Sequence, residues 1–219
     1  MTAPGICEGK GKQTFMEGLW GNNPISIQML GICSALAVTN KLENSIVMGL
    51  AVIFVCAMSN LIVSLLRDCT PRRIRMIVEV AIIATFVILF DQILKAFYWD
   101  MSKQLGPYVG LIITNCIVMG RAEAFAMQNR PALSVVDGLA NGVGYTAILA
   151  MIGFIRELLG TGGIKISEQL FGHAISFHVG DWYVNNQLMV LAPGAFIILG
   201  FLIALFNYLN PVEEEEDKK

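Results

Sequence analysis

The sequence predicts an all-α integral membrane protein: six transmembrane segments arranged as two inverted three-helix repeats. Three observations lead there. Apolar residues make up 55% of the 219 residues and charged residues 15%, with a mean hydropathy of +0.64. A soluble domain carries about 25% charged residues. The apolar residues gather into runs of membrane length, and the order of those runs repeats in the two halves of the chain. This composition excludes a disordered chain, a nucleic-acid binder and an ordinary soluble enzyme. The net charge of −2 argues for no particular partner.

Residues 1–24 form a Gly-rich, charged N-terminal tail with Glu8, Lys10, Lys12 and Glu17 and no early apolar core. That pattern does not predict a cleavable signal peptide. Residues 25–39 are 15 uncharged residues. A bilayer core of about 30 Å needs roughly 20 helical residues, so this segment reads as short or interrupted. Residues 45–66 are 22 residues without a charge, a full span. Residues 74–97 are uncharged from Val80 to Phe90 and form another. Residues 105–119 are again only 15 uncharged residues, a second short segment. Residues 133–155 carry Asp137 as their one charge, and residues 188–209 carry none. Between these last two spans, the loop 160–187 holds His173, His178, Trp182 and Tyr183 and reads as an extracytoplasmic interfacial cap. Two histidines without carboxylate support make a poor metal site. Residues 210–219 are a charged, solvated tail.

Lys and Arg set the orientation. With six crossings and a cytoplasmic N-terminus, inside regions hold ten basic residues and outside regions five. Both termini are therefore expected in the cytoplasm.

Each half reads short, long, long, which divides the membrane region into repeats 25–104 and 105–209. Gly49-Leu50-Ala51 matches Gly138-Leu139-Ala140, and Arg67-Asp68 matches Arg156-Glu157, both at an offset of 89. Each short segment carries one cysteine, Cys33 or Cys116. Each is followed by a basic-x-Glu triplet, Lys41-Leu42-Glu43 or Arg121-Ala122-Glu123. Three crossings per repeat force the second repeat to enter from the opposite face. Short helices leave backbone groups unpaired, and lipid cannot satisfy them. Such ends belong where protein or a polar cavity covers them, which is where ion and cofactor sites sit in inverted-repeat folds.

Cys33 and Cys116 lie about mid-way along their short segments, so inversion brings them towards each other. Three readings stand side by side: buried thiols packed as small apolar groups, a disulfide, and metal ligation. A [2Fe–2S] cluster needs four thiolates. Cys56 is mid-span, and Cys7 and Cys69 lie outside the membrane, so two ligands would have to come from a second chain of like fold. Five cysteines without a C-x-x-C pair do not form a secreted disulfide framework.

Asp91 and Asp137 are ionisable residues inside spans, costing roughly 2.5–3.5 kcal/mol each at a helix centre. Such residues mark cation or proton paths. The plainer reading pairs Asp91 with Lys95 one turn on and puts Asp137 near the membrane edge. Glu79 faces Arg75 by the same spacing and reads as structural. Asn60, Asn115, Asn141 and Tyr145 offer uncharged oxygens, with interhelical hydrogen bonds the simpler role for Asn60 and Asn141. Gly138 and Gly142 form a G-x-x-x-G, a weak signal for close helix approach. The sequence contains no Walker A loop, no dinucleotide-binding glycine fingerprint and no C-x-x-C-H haem attachment site. Nucleotide and flavin, if used, bind on other chains.

Residues 30–39 and 113–126 closely resemble one family of membrane proteins, the NqrD/RnfE family of sodium-translocating NADH:quinone oxidoreductases and Rnf complexes. Asp137-Gly138, Arg156-Glu157-Leu158 and Leu191-Ala192-Pro193 are similar to that family too, and the likeness runs from about residue 25 to 209. The stretch around Cys116 is shared by both branches, and the stretch around Cys33 leans towards the quinone reductases. The resemblance implies a multi-pass subunit of a bacterial inner membrane within a six-subunit complex. Its expected partner is a homologous membrane subunit of the same complex, with lipid around it and sodium ions as cargo. Cys33 and Cys116 would supply half the ligands of an intramembrane [2Fe–2S] cluster, coupling electron transfer to cation translocation. FMN, FAD, riboflavin and NADH would belong to other subunits, so the chain would be enzymatic only within the complex. Asp91 and Asp137 are the candidate cation-path residues. The equivalent subunit of an Rnf-type ferredoxin:NAD oxidoreductase, a cofactor-free inverted-repeat transporter and a structural anchor are the alternative expectations.

Overall fold

Glycine decides where this fold is broken and where it is tight. The computed structural model describes residues 25, 28, 30–67, 70–71, 73–161, 163–166, 175–178 and 191–209. The expectations for both tails and for His173, Trp182 and Tyr183 fall outside the described residues. Gly31 has φ 78°, a left-handed turn that L side chains avoid, and α1 starts after it at Ile32–Val38. A Cβ on Gly31 would lie 2.7 Å from Ile117 Cδ1, so the position also lacks room. Thr39 closes α1 by donating to the Ala35 carbonyl (2.6 Å).

Helix α2, Leu42–Leu66, has 25 residues, apolar nearly all round, and is about 37 Å long. Helix α3, Arg75–Phe97, follows. Tyr98 breaks the helical run, and α4 spans Trp99–Ile113 with Pro107 inside it. The chain breaks again at Thr114-Asn115. Asn115 caps α5, Cys116–Arg121, by accepting the Ile117 amide proton (3.1 Å). The run continues as a π-helical turn over Ala122–Ala126. Helix α6, Pro131–Thr161, has 31 residues and begins on a proline, which suits the first helical position. Strands β1, Gly163–Ile166, and β2, Ile175–His178, pair antiparallel. Helix α7, Ala192–Leu209, ends the described chain.

Among the described residues four helical stretches are long and apolar enough to cross a membrane: α2, α3, residues Leu105–Ala126 and α6. The chain is thus a multi-pass membrane protein by length and composition, with Pro193–Phe206 a shorter apolar helix. Three details differ from the sequence expectation. The first short segment has only seven helical residues, because Gly31 delays the helix. The second runs on to Ala126, because Arg121 and Glu123 find charged partners and need not end it. The loop 160–187 contains a small hairpin, so the fold is not purely helical.

The centre of the fold is the crossing of α2 and α6. A Cβ on Gly142 would come within 2.9 Å of Ile53 Cα, and one on Gly138 within 3.1 Å of Ala57 Cα. One on Gly49 would strike Thr146 Cγ2 at 2.3 Å, and one on Gly153 would strike Ser45 Oγ at 2.6 Å. The G-x-x-x-G is therefore half of a mutual glycine contact, the arrangement membrane helices use for lack of a hydrophobic drive between them. Val52, Val55, Tyr145, Leu149 and Ile152 fill the core around it. Phe54 of α2 packs edge-on to Phe86 of α3, with ring centroids 6.5 Å apart. Outward, α3 exposes Met76, Ile77, Ile88 and Ile93, and α7 exposes Phe196, Ile197 and Phe201. A water-facing surface would not carry such a set.

Gly142→Leu is expected to lower the unfolding midpoint of the protein in detergent, at a cost of about 1–3 kcal/mol from overpacking. Gly200, with nothing within 4 Å of an added Cβ, is the control. Equal losses from Gly142→Leu and Gly200→Leu would refute the close-contact account.

Two arginines lace the halves together. Arg156 of α6 reaches the end of α1, donating to Thr39 Oγ1 (2.6 Å), the Leu36 carbonyl (3.3 Å) and Asn40 Oδ1 (2.9 Å). Arg67, just past α2, donates to the Asn129 carbonyl (3.2 Å) beyond the π turn. Each satisfies carbonyls that a short helix leaves open at its C-terminus. Glu157 accepts the Leu42 amide proton at the start of α2 (2.8 Å).

Candidate functional site

Each of the two short helices begins at a break, and each break carries a cysteine. Cys33 is the second residue of α1 and Cys116 the first of α5. The sequence predicts both mid-way along their segments; they stand instead in the first helical turn, because Gly31 and Asn115 set the start of each helix. The two thiols stand near each other. Both are free and exposed on the surface of the chain. Cys56 is also free, but it is fully buried in α2, with Asn60 Nδ2 3.9 Å from its sulfur. Among the described residues no three His, Cys, Asp or Glu side chains gather into a metal-binding group. Cys7 and Cys69 lie outside the described residues.

Around the thiols the polar groups are buried and paired. Ser34, next to Cys33, shares a 2.6 Å hydrogen bond with the Tyr145 hydroxyl of α6 and donates to the Gly31 carbonyl (3.0 Å). Asn115, next to Cys116, donates to Ser34 Oγ (3.4 Å). Ser34, Asn115 and Tyr145 are each 0% exposed. From sequence, Asn115 and Tyr145 read equally as oxygen ligands or as interhelical hydrogen-bonding groups, and Ser34 has no role at all.

Asp137 is buried inside the chain. It is 1% exposed and held by Arg121, whose Nε donates to Oδ2 (2.9 Å) while Nη2 donates to Oδ1. Asn141 Nδ2 also donates to Oδ1 (3.0 Å) and to the Asp137 carbonyl (2.9 Å). That bond is within α6, whereas Asn60 Nδ2 makes the expected interhelical bond, to the Ser134 carbonyl (3.4 Å). Asn60 Oδ1 and Asn141 Oδ1 are buried and accept nothing. Asp91 pairs with Lys95 (2.5 Å) beside a cleft otherwise lined by apolar groups such as Val47, Val87 and Ile112. The two candidate carboxylates thus lie in different settings, one in the buried centre and one at a half-open cleft.

Glu79 departs from its expected partner. Arg75 binds Glu123 on the π turn instead. Glu79 is 2% exposed, and neither of its carboxyl oxygens accepts a hydrogen bond. The triplet Arg121-Ala122-Glu123 already marked the partner that draws Arg75 away. It binds in both directions, Arg121 to Asp137 on α6 and Glu123 to Arg75 on α3. A π turn between them is the geometry often found at functional sites.

Comparison with known proteins adds two findings. The family described as "Rnf-Nqr subunit, membrane protein" matches residues 12–203. The chain is 54% identical over 207 residues to a protein of Pasteurella multocida (strain Pm70) that is named as one of the subunits of a Na(+)-translocating NADH-quinone reductase. The match covers 94% of this chain and 97% of that relative.

Proposed function

The chain belongs to the Rnf-Nqr family of membrane subunits, and from that premise we propose that it is a membrane subunit of a sodium-translocating NADH:quinone oxidoreductase, with Cys33 and Cys116 as half of a shared [2Fe–2S] site. The observation that carries the proposal is the pair of adjacent, free, exposed thiols with no third ligand group among the described residues. Four thiolates are needed for such a cluster. Two adjacent thiols on an outer face fit a half-site completed by a second chain, and the expected second chain is a homologous membrane subunit. When bound, the cluster accepts and releases single electrons between flavin and iron–sulfur groups on other subunits and, finally, quinone.

The residues of this chain hold and tune the site. Gly31 and Asn115 set the two turns, and Ser34, Tyr145 and Asn115 hold them together. In this reading the chain has six membrane segments in two inverted repeats, in a bacterial inner membrane, with both termini cytoplasmic. The matched arginines support the repeat: Arg67 and Arg156, 89 residues apart, each bind a carbonyl in the last turn of the other half's short helical run or just beyond it. Cation movement would run past carboxylates within the spans, with Asp137 and Asp91 as the candidate residues. Their coupling to electron transfer would act through the short helices.

The test is chemical protection in the intact complex. Cys33 and Cys116 are expected to resist a membrane-permeant maleimide until iron is chelated and then to react, as read by mass spectrometry. Cys56 should stay unreacted throughout, being buried in this chain. Full labelling of Cys33 and Cys116 before chelation would overturn the ligand assignment.

A further inference from the structure

Tyr145 is a fully buried phenol on the central helix α6, and it touches the chain on both sides of the candidate site. Its ring edge packs on Gly31, where a Cβ would come within 3.0 Å of Cε2. Its hydroxyl bonds Ser34 Oγ at 2.6 Å, and Asn115 Nδ2 donates to the same serine oxygen at 3.4 Å. Gly31 and Ser34 flank Cys33, and Asn115 immediately precedes Cys116. Ser34 Oγ therefore joins the two turns that carry the thiols, and the Tyr145 hydroxyl ties that junction to α6. Asp137, Asn141 and Tyr145 follow one another at four-residue steps on α6, all buried. Four-residue steps share one helix face, so the phenol stands on the same stripe as the buried ion pair, about 12 Å along the helix.

We infer that Tyr145 is a positioning residue for the two-thiol site: through Ser34 and Asn115 it fixes how far apart Cys33 and Cys116 stand. The inference rests on the cluster reading above, but the geometry it concerns belongs to this chain alone. A side chain held only by apolar packing would turn freely about its ring axis without consequence. A hydroxyl bonded to a buried serine is different, because removing it frees Ser34 Oγ, on which the Asn115 bond rests, to rearrange. Two independently mobile turns would then carry the thiols.

The experiment uses the intact membrane complex with Tyr145→Phe, which keeps the ring and its packing and removes only the hydroxyl. Ser34→Ala removes the same bond from the other side, together with the bonds of Ser34 Oγ to Asn115 and to the Gly31 carbonyl. Each is expected to alter the EPR line shape of the cluster and to change its one-electron reduction equilibrium at least threefold, about 30 mV. The double variant should shift no further than Ser34→Ala, since that change already removes the one bond Tyr145→Phe takes away. After iron is chelated, a mild thiol oxidant should join Cys33 to Cys116 in the parent complex, and at least threefold more slowly in Tyr145→Phe. Unchanged line shape, equilibrium and disulfide rate in both single variants would overturn the positioning role, as would additive shifts in the double. If Cys33→Ser leaves the EPR signal intact, the cluster reading fails; a slowed disulfide rate in Tyr145→Phe would still support the positioning role on its own.

Discussion

Replacing Cys33 or Cys116 with serine is expected to abolish the cluster EPR signal and to cut NADH-driven quinone reduction by the complex about a hundredfold or more. Loss of supporting groups around a metal already costs roughly 10–100-fold, so loss of a direct ligand sets a larger scale. Serine keeps the size of the side chain but offers a hard oxygen where iron–sulfur chemistry wants soft thiolate. With only two thiols on this chain's half, one substitution leaves a single ligand on that side. The control lies in the same molecule. Cys56 is as free as the other two but lies at 0% exposure inside α2. Cys56→Ser is expected to leave the signal and turnover within about twofold and to affect folding alone. Iron content, EPR and turnover on the same preparations decide the matter. A signal that survives Cys116→Ser would end the cluster assignment.

Asp137→Ala is expected to destabilise the protein by about 3–5 kcal/mol, because it strands Arg121 as an uncompensated charge in a buried place. Arg121 is 16% exposed at its side chain and also lies 5.3 Å over the Phe125 ring, which does not neutralise it. A double replacement, Arg121→Met with Asp137→Leu, should recover most of the stability, since apolar residues of similar volume often substitute well for a buried pair. Function separates the two roles. If Asp137 lies on the cation path, the folded double variant will have lost the sodium dependence of turnover. An unchanged sodium dependence in that variant, measured by titrating sodium against quinone reduction, removes Asp137 from the path and leaves the pair as structure.

The long helices and the paired cysteines were legible because they rest on local rules. An uncharged run of 22 residues and a repeat at an offset of 89 are properties of the string itself. The breaks were only half legible. Gly31 looks like any glycine until Ile117 is packed against it, and Asn115 becomes a cap only when the chain turns before it. Ion pairing was legible for Asp91, whose partner is four residues away. It was misread for Glu79, because the choice of Arg75 between Glu79 and Glu123 depends on α3 meeting the π turn, a contact 48 residues apart in sequence. The same reason hid Ser34. Its partner is 111 residues on, and nothing about a serine in an apolar run distinguishes a tertiary hydrogen bond from a bond to its own helix.

The glycine-lined crossing of α2 and α6 has a mechanical consequence. Backbone there meets backbone or a short side chain, with no long flexible group to absorb a shift. Sliding one helix by a single residue, about 1.5 Å, would drive Ile53 or Thr146 off its glycine and onto a neighbour with a side chain. Close-packed interiors do not deform in that way. The pair is therefore a keel: whatever rocks during turnover, it is not these two helices against each other. Movement is left to the lighter parts hung from the keel, the two broken segments that carry the thiols.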